Sequence, residues 1–424
     1  MAQKSSGMRS PSDRASERTA YERAIKRRPS KPKFAAGITP GPGVAIRGLE
    51  VIQTVQSLQN DVRLVAMKPT VARLYIDPTG FADGTYVTGE LVWRRGTAGT
   101  FYLPAMNRVR MRPNADHGLE GQRDDLELSL NFRLPDAAIR SGTIELGLNL
   151  LKVPGGDEIP VTAPAPLSLT FEGAPPLRVR AVGIRYDSVK NPPSTITPNS
   201  IHFEYLRSYL TRAYPIAAIE FTQIAVDGVG LIPPTTGTSF PQNTSLVVNA
   251  QLSAMRTSEI SNGFDPRIHY YGLVDDEMGN SFMRGSAVYN ETTQTFGMVS
   301  CGPSGVPNGW VGDTDGSYAD WYSAHEIGHT FQRRHPGFPP ANQSQDPLES
   351  GFPYPNGQIS NGPPLYVGLD IGDPALGLPM RALPGHTHHD VMTYASNQWL
   401  SAYTYHAILD RLILEDQALA PLTN

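Results

Sequence analysis

Three histidines and a glutamate lie close together near the middle of the second half of the chain. The spacing is His325-Glu326-x-x-His329, with His335 six positions after the second histidine. Side chains four residues apart lie on the same face of a helix, so a helix here would present two imidazoles to one metal ion. His335 is too distant to share that face, so the chain must turn after the helix to return it as a third ligand. Three protein ligands leave a fourth position open, as in catalytic zinc sites.

Glu326 follows the first histidine and would project toward the space in front of the metal. From there its carboxylate can take a proton from a metal-bound water and pass it to a leaving amine. The all-imidazole set favours zinc, although copper, nickel or iron would also accept it. The competing interpretation is a helix with ordinary polar-face or core histidines, and the offset of His335 argues against it. We therefore expect one catalytic Zn²⁺.

The segment from His325 to His335 resembles the HExxHxxGxxH motif of the metzincin clan of zinc endopeptidases. That motif is followed in the clan by a methionine turn, and Asp390-Val-Met392-Thr-Tyr394 matches this turn. The resemblance implies that Met392 forms an apolar floor beneath the metal without bonding to it. It also implies that Tyr394 binds the metal or stabilises the developing oxyanion.

One position departs from the clan's motif. Gln332 replaces the glycine that permits the sharp turn after the helix, where left-handed backbone angles favour glycine. The replacement implies a strained or differently shaped turn, but it removes no ligand. It also supports an alternative function, a catalytically inactive metalloprotease-like protein used for binding or adhesion. The intact Glu326 argues against that alternative.

Two flanking segments extend the resemblance. Asp313–Trp321 before the helix and Trp399–Tyr405 after the turn are similar to a little-characterised group of microbial metzincin-like proteins with a β-sandwich ahead of the protease. Cysteines often follow the third histidine and the turn tyrosine in that group. Pro339 and Ala395 stand in those places here, so the resemblance implies that this disulfide is missing.

The elements that must position these residues suggest two domains. The chain has 424 residues, with 40 glycines, 38 prolines and 18% charged residues, which is typical of a loop-rich and strand-rich globular protein. Residues 46–173 contain short alternating runs separated by turn residues, as in an all-β immunoglobulin-like sandwich. The runs include 49–55, 71–76, 86–93, 126–132, 143–150 and 167–171. This domain would be a binding or spacer module, or a structural partner of the protease.

Residues 177–424 predict an α/β, metzincin-like zinc protease domain. Its first half has a β-α-β-α-β order, with strands at 177–186, 216–221 and 268–274 and helices at 200–213 and 245–255. Phe282–Tyr289 is a candidate edge strand that could hold an extended peptide by main-chain pairing. Arg284 and Gly285 within it are the candidate substrate-binding residues. Ser317-x-x-Asp320 resembles a capping box that opens the metal-binding helix.

The remainder of this domain predicts few further sites. Residues 336–385 are rich in Pro, Gly and Asn and predict an irregular lobe, followed by a last helix at 401–414. Asp370 and Asp373 could bind Ca²⁺, but turn roles are favoured because calcium requires six or more oxygens. Three further histidines precede the methionine turn: His386, His388 and His389. We interpret them as loop residues. The alternative is that one of them replaces His335 as a metal ligand. The sequence has one cysteine, Cys301, which excludes an intramolecular disulfide. We expect Cys301 to be a small buried residue rather than an inhibitory thiolate on the zinc.

The charge is unevenly distributed along the chain. Residues 1–34 contain ten Lys/Arg and three acids, although the net charge of the whole chain is −4. Residues 1–45 therefore predict a disordered basic tail and linker, without the apolar segment of a secretory signal. The protein would be cytoplasmic as synthesised. The tail could engage export or packaging machinery by a signal-independent route, and a delivered effector or toxin is one alternative that shares the same chemistry.

Other classes of partner have less support. No apolar run approaches a membrane span, and the acidic remainder argues against specific nucleic-acid binding. The sequence therefore predicts a zinc-dependent endopeptidase acting on protein or peptide substrates. His325, His329 and His335 would hold the metal, and Glu326 would act as general base and then as general acid.

Overall fold

The protein has a mixed α/β fold. A computed structural model describes residues 44–162, 164–189, 193–235, 239–275, 283–288, 298–305, 317–337, 349–360 and 366–419. The five α-helices of this described part are α1 Gly118–Asp124, α2 Ser200–Ala213, α3 Thr244–Ser261, α4 Trp321–Thr330 and α5 Ala402–Leu419. None of the described helices is long and apolar enough to cross a membrane. The predicted tail and linker lie outside the described residues, except for Val44 and Ala45, which begin the first strand.

Residues 44–172 form two sheets around a shared apolar core. A four-stranded sheet has the order β11-β1-β4-β8, and a seven-stranded sheet has the order β3-β12-β9-β5-β6, with β10 beside β9 and β7 beside β5. The clearest alternation is in β5, where inward and outward residues strictly alternate, as expected of a strand with one buried face. The strands are β1 Val44–Ile52, β2 Val55–Gln56, β3 Leu64–Val65, β4 Val71–Ile76, β5 Tyr86–Arg94, β6 Thr100–Pro104, β7 Val109–Arg110, β8 Leu130–Arg133, β9 Gly142–Lys152, β10 Glu158–Ile159, β11 Val161–Thr162 and β12 Leu167–Glu172.

One predicted strand in this region is shorter than expected. The run 126–132 begins with a 3₁₀ turn over Leu126–Leu128, and β8 starts only at Leu130. The Asp125 carboxylate accepts a hydrogen bond from the Glu127 N–H at 2.8 Å, which stabilises the turn. Local side-chain capping therefore overrides the strand propensity of the run.

A separate six-stranded sheet supports the histidine helix. Its order is β14-β13-β16-β18-β17, and β15 pairs with β13. β13, β15, β16 and β18 are parallel, and α2 and α3 provide the crossovers, so the predicted β-α-β-α-β order is confirmed. The strands are β13 Leu177–Asp187, β14 Thr195–Ile196, β15 Ile219–Asp227, β16 His269–Asp275, β17 Ser286–Ala287 and β18 Val299–Ser304.

β18 was not predicted, although it lies beside the histidine helix. It is fully buried between β16 and β17, and α4 packs against it. Its sequence, Val299-Ser-Cys-Gly-Pro-Ser304, has neither the alternation of a half-buried strand nor a continuous apolar run. A parallel strand covered on both faces gives no period-two signal, so periodicity could not identify it.

The lobe predicted to be irregular contains regular structure. Its described residues include β19 Val367–Asp370 and β20 Arg381–Pro384, which form a three-stranded sheet with β2. β21 His389–Asp390 and β22 Gln398–Trp399 then form a short parallel pair. The interpretation of 336–385 as irregular is therefore wrong for β19 and β20, because the pairing of β19 with a segment about 300 residues earlier leaves no local signal.

The segment from Gln53 to Lys68 joins the two parts of the protein. Val55, Val62 and Val65 belong to the same buried cluster as core residues from β13, α4 and α5. The indole N–H of Trp399 donates to the Thr54 carbonyl at 2.9 Å. This segment therefore contributes directly to the core beneath the histidine helix. That contribution favours a structural partnership of residues 44–172 with the rest of the protein over a detached spacer.

Candidate metal centre

Helix α4 is buried along almost its whole length. Ala324 and Ile327 face the core and are fully buried, and the Tyr214 hydroxyl donates to the Ala324 carbonyl at 2.6 Å. The helix begins at Trp321, and its N-cap residue Asp320 makes no side-chain capping hydrogen bond. The predicted capping box is therefore wrong. The Ser317 hydroxyl instead accepts from the Ala319 N–H at 3.0 Å, in the turn that precedes the helix.

The turn after α4 keeps a left-handed residue without glycine. Gln332 has a φ of 61°. The Gln332 N–H donates to the His329 carbonyl at 2.8 Å, and the Arg333 N–H donates to the Gly328 carbonyl at 3.1 Å. This pair of bonds is a Schellman motif, which satisfies the last carbonyls of a helix. The turn thus has the shape that glycine would adopt, at the energetic cost of a side chain in left-handed backbone.

The three imidazoles converge on one point. His335 Nε2 lies 3.1 Å from His325 Nε2 and 3.0 Å from His329 Nε2. On the far side of the rings, His325 Nδ1 lies 2.8 Å from the Val391 carbonyl and His329 Nδ1 lies 2.7 Å from the Arg333 carbonyl. A carbonyl only accepts hydrogen bonds, so Nδ1 carries the proton in both rings and Nε2 presents its lone pair inward.

The surroundings favour neutral rings. Burial holds the pKa of His325 well below its usual range, and the neighbouring His329 and His335 lower it further. Burial also lowers the pKa of His335 to about 3, with His329 and Arg284 contributing in the same direction. Neutral imidazole is the form that binds a metal, so the site is arranged to hold a cation rather than protons.

The donor set fits zinc. The Nε2 atoms are 3.0–3.1 Å apart, and their inward lone pairs repel one another unless a cation lies between them. Zn–N bonds of about 2.0–2.1 Å in a tetrahedron place neighbouring nitrogens roughly 3.3 Å apart, close to these separations. The backbone carbonyls behind His325 and His329 are the kind of outer partners that orient metal-binding histidines. The described residues therefore provide three of four tetrahedral positions.

A tight turn lies beneath the site. The buried Asp390 carboxylate accepts from the N–H groups of Met392 at 2.9 Å and Ser401 at 3.0 Å. It also accepts from the Ser401 hydroxyl. This turn places the Val391 carbonyl behind His325 and packs Met392, which is 1% exposed, against α4 at Gly328. The sequence motif was identified by Met392, but Asp390 holds the turn together.

Tyr394 lies against two of the histidines. Its ring centroid is 4.6 Å from that of His335 and 5.6 Å from that of His325, and the latter pair is stacked. The tyrosine is partly exposed. Its contact with two of the three imidazoles is compatible with a role near a bound substrate.

Glu326 on α4 lies beside the edge of the six-stranded sheet. A Cβ added at Gly285 would overlap the Glu326 Oε1 atom and the Tyr322 ring, so glycine allows the edge segment to approach the carboxylate. The Gly285 N–H donates to the Tyr322 hydroxyl at 3.1 Å. Arg284 is exposed beside it. The predicted substrate-binding pair therefore lies next to Glu326, although the strand itself covers only Ser286–Ala287 within the described residues.

Sequence reasoning missed one supporting histidine. His269 on β16 has Nδ1 2.8 Å from the Thr330 hydroxyl and Nε2 3.1 Å from a Glu415 carboxylate oxygen. Its ring stacks on Phe331, with centroids 4.4 Å apart. These contacts fix the C-terminal end of α4 to β16 and α5. The isolated His-Tyr-Tyr sequence gave no signal for this role, because its partners are distant along the chain.

The other predicted candidates are structural or remain separate. Asp370 accepts from the Gly372 N–H at 2.8 Å and Asp373 accepts from the Ala375 N–H at 3.0 Å, so both fit the turn interpretation. Asp370 also pairs with the buried Arg212. Cys301 is fully buried, and its thiol lies 3.4 Å from the Ser245 carbonyl.

The histidines before the methionine turn do not join the cluster of three. His388 Nδ1 lies 3.1 Å from the Pro384 carbonyl, and His389 Nδ1 lies 2.9 Å from the Ser396 carbonyl. His386 lies against α1, with its Nδ1 3.9 Å from an Asp124 carboxylate oxygen. His335 therefore needs no substitute ligand.

Comparisons with known proteins give little further information. No protein-family model matches the sequence, and no curated protein matches it. Among solved structures, similarity is found to a polysaccharide deacetylase from Bacillus cereus, with 12% identity and a TM-score of 0.16. That match covers 55% of this chain and 52% of the deacetylase, so the alignment spans about half of the deacetylase chain. A TM-score this low supports no conclusion about fold or activity, and the candidate function rests on the site itself.

Proposed function

We propose that the protein is a zinc-dependent endopeptidase of metzincin type. The observation that carries the proposal is the convergence of three imidazole Nε2 atoms, two of them fixed as lone-pair donors by backbone carbonyls. When bound, zinc acts as a Lewis acid that lowers the pKa of water and polarises a carbonyl. His325, His329 and His335 would hold it.

The other residues of the site have separate roles in this proposal. Glu326 accepts the proton of the attacking water and returns it to the leaving amine. Glu326 is only 5% exposed, so its carboxylate lies largely out of bulk water. Electrostatic interactions are stronger in this buried environment than in water. The Tyr394 hydroxyl stabilises the developing oxyanion, and Met392 shapes the floor. Arg284 and Gly285 border the cleft where an extended peptide would pair with the sheet edge.

The fold assignment is part of the same proposal. We infer that the two sheets of residues 44–172 are an immunoglobulin-like sandwich and that residues 177–419 form a metzincin-like catalytic domain. The parallel β13-β16-β18 arrangement above a helix bearing the first two histidines supports the second assignment. The sandwich shares a core with this domain through Val55, Val62 and Val65.

The rival function is an inactive protein that binds or adheres to a partner. Its support was Gln332, which could have displaced His335. The left-handed backbone at Gln332 keeps the turn in the shape typical of glycine, and His335 lies within about 3 Å of both other histidines. The active interpretation is therefore favoured.

The proposal is tested by metal content and peptide-library cleavage of three proteins. Wild type and Glu326→Gln should each bind zinc through the three histidines, whereas only wild type should cleave. Glu204→Gln, which neutralises an exposed carboxylate on α2, is the matched control and should cleave as wild type does. Cleavage by Glu326→Gln at the wild-type rate would remove the general-base role. Zinc binding without cleavage by any protein would favour the binding function.

An exported effector or toxin is a biological version of the same chemistry. The basic segment 1–45 is the proposed contact with export or packaging machinery. Deleting residues 1–43, which leaves strand β1 complete, should abolish export from the producing cell while leaving peptide cleavage intact. Unchanged export of the shortened protein would exclude the proposed role of the tail.

A further inference from the structure

A second group of metal-ligating side chains lies between α1 and the segment before the methionine turn. Glu120 and Asp124 are four residues apart on α1, so their carboxylates project from the same face. His386 comes from the connection between β20 and β21. One ligand atom from each of the three residues lies within 4.8 Å of the others.

The spacing suits a cation better than direct hydrogen bonds. His386 Nδ1 and the Asp124 Oδ2 atom are 3.9 Å apart, which is beyond hydrogen-bonding range. Tetrahedral zinc would bring such ligand atoms to roughly 3.3 Å from one another. Glu120 and His386 are both exposed, so rotation of their side chains can close this difference without moving the backbone.

Negative charge accumulates at this position. Like charges four residues apart on a helix destabilise it, and Glu120 and Asp124 form such a pair. Burial raises the pKa of Asp124, the Glu120 carboxylate raises it further, and His386 opposes the shift. A bound cation would reduce the repulsion and would stabilise the ionised form of the partly buried Asp124 carboxylate.

The backbones on both sides are held in place. α1 packs against β20. Arg123, the residue before Asp124, pairs with the buried Glu50 at 2.5 Å and so anchors the end of α1 in the core. Opposite it, the Gln358 side-chain amide donates to the His386 carbonyl at 2.7 Å. The three candidate ligands therefore project from fixed positions on two segments far apart in the sequence.

We propose that Glu120, Asp124 and His386 form a second zinc site, separate from the three-histidine centre. Two carboxylates and one imidazole suit zinc, with water completing the coordination, whereas calcium would require more oxygens. His386 is four residues before Asp390, so a bound ion would link the N-terminal sheets to the segment that leads into the methionine turn. This inference does not depend on the proposed peptidase activity.

The test counts zinc by elemental analysis after dialysis of full-length proteins against buffered zinc. Wild type should bind two ions per chain. A His325→Ala/His335→Ala variant should still bind one, and Asp124→Asn or His386→Ala should also leave one. Glu127→Gln, which neutralises a nearby exposed carboxylate, is the matched control and should bind two.

A second readout does not depend on cleavage. In the His325→Ala/His335→Ala background, added zinc should raise the Tm in a concentration-dependent way, because a ligand that binds only the folded state stabilises it. Adding Asp124→Asn should abolish that rise. The proposal would be overturned if the His325→Ala/His335→Ala protein bound no zinc and its Tm did not change over the titration. Loss of peptidase activity alone would not affect this result.

Discussion

The sulfur of Met392 packs directly against the backbone of Gly328, between the two histidines of α4. A Cβ added at Gly328 would overlap that sulfur and would also approach its methyl group. Met392 is 1% exposed and is fixed by the turn that Asp390 organises. The glycine in the middle of the motif therefore permits the turn to lie close beneath the histidine helix, whereas in an open helix glycine would only weaken it.

Gly328→Ala should destabilise the protein by about 1–3 kcal/mol, because the added methyl group overpacks a buried contact. In a Met392→Ala background the same change should be neutral or stabilising, since alanine is about 1 kcal/mol better than glycine inside a helix. Urea denaturation of the two single variants and the double variant measures the coupling. An equal loss in both backgrounds would show that Met392 does not cause the effect.

Gln332→Gly should stabilise the protein by roughly 0.5–1 kcal/mol. The change removes the cost of left-handed backbone, about 1–2 kcal/mol, but adds flexibility to the unfolded chain. Asn397→Gly is the control, because Asn397 also has a positive φ of 58° and asparagine tolerates this conformation better. Thermal denaturation should show the larger gain for Gln332→Gly. A larger gain at Asn397 would contradict this account of the turn.

Asp390→Asn should destabilise the protein by about 1–3 kcal/mol and weaken zinc binding. The carboxylate accepts from two backbone N–H groups, and the amide of asparagine would direct N–H donors toward at least one of them. The turn would no longer hold the Val391 carbonyl behind His325. Chemical denaturation and zinc titration provide the measurements. Asp373→Asn, at a turn distant from the histidines, should leave zinc affinity unchanged.

Lys68 should make stability rise with pH above neutrality. Burial lowers its pKa to about 7 from 10.5, with Arg212 contributing. Between these values the unfolded chain holds the proton and the folded chain does not, so stability increases with pH by about 1.4 kcal/mol per unit. The neutral amine still has two N–H groups for the carbonyls of Thr211 and Arg212, at 2.9 and 3.0 Å. Below pH 7 the contribution is constant.

The control for this pH dependence is Lys68→Met. Free energies of unfolding measured at several pH values from 7 to 9 should show a difference between wild type and variant that grows with pH. A constant difference would mean that Lys68 remains protonated in the folded protein.

Some parts of the fold were predictable because their signals are local. α2 occupies the predicted 200–213, with Asn199 accepting from the Ile201 N–H and Pro215 beyond its end. The β5 strand shows the alternation expected from its sequence. Helix caps and one-face burial are set within a few residues, so a single sequence contains them.

The sequence by itself determined the chemistry available to this protein: three imidazoles, a neighbouring carboxylate and a methionine turn at recognisable spacings. Only the tertiary structure decided that the imidazoles meet, because that depends on a left-handed Gln332, on carbonyls at Val391 and Arg333, and on packing at Gly328. It also decided that Gln53–Lys68 completes the core beneath α4. These contacts join residues far apart in the chain, and their energies depend on burial and geometry that no local pattern records.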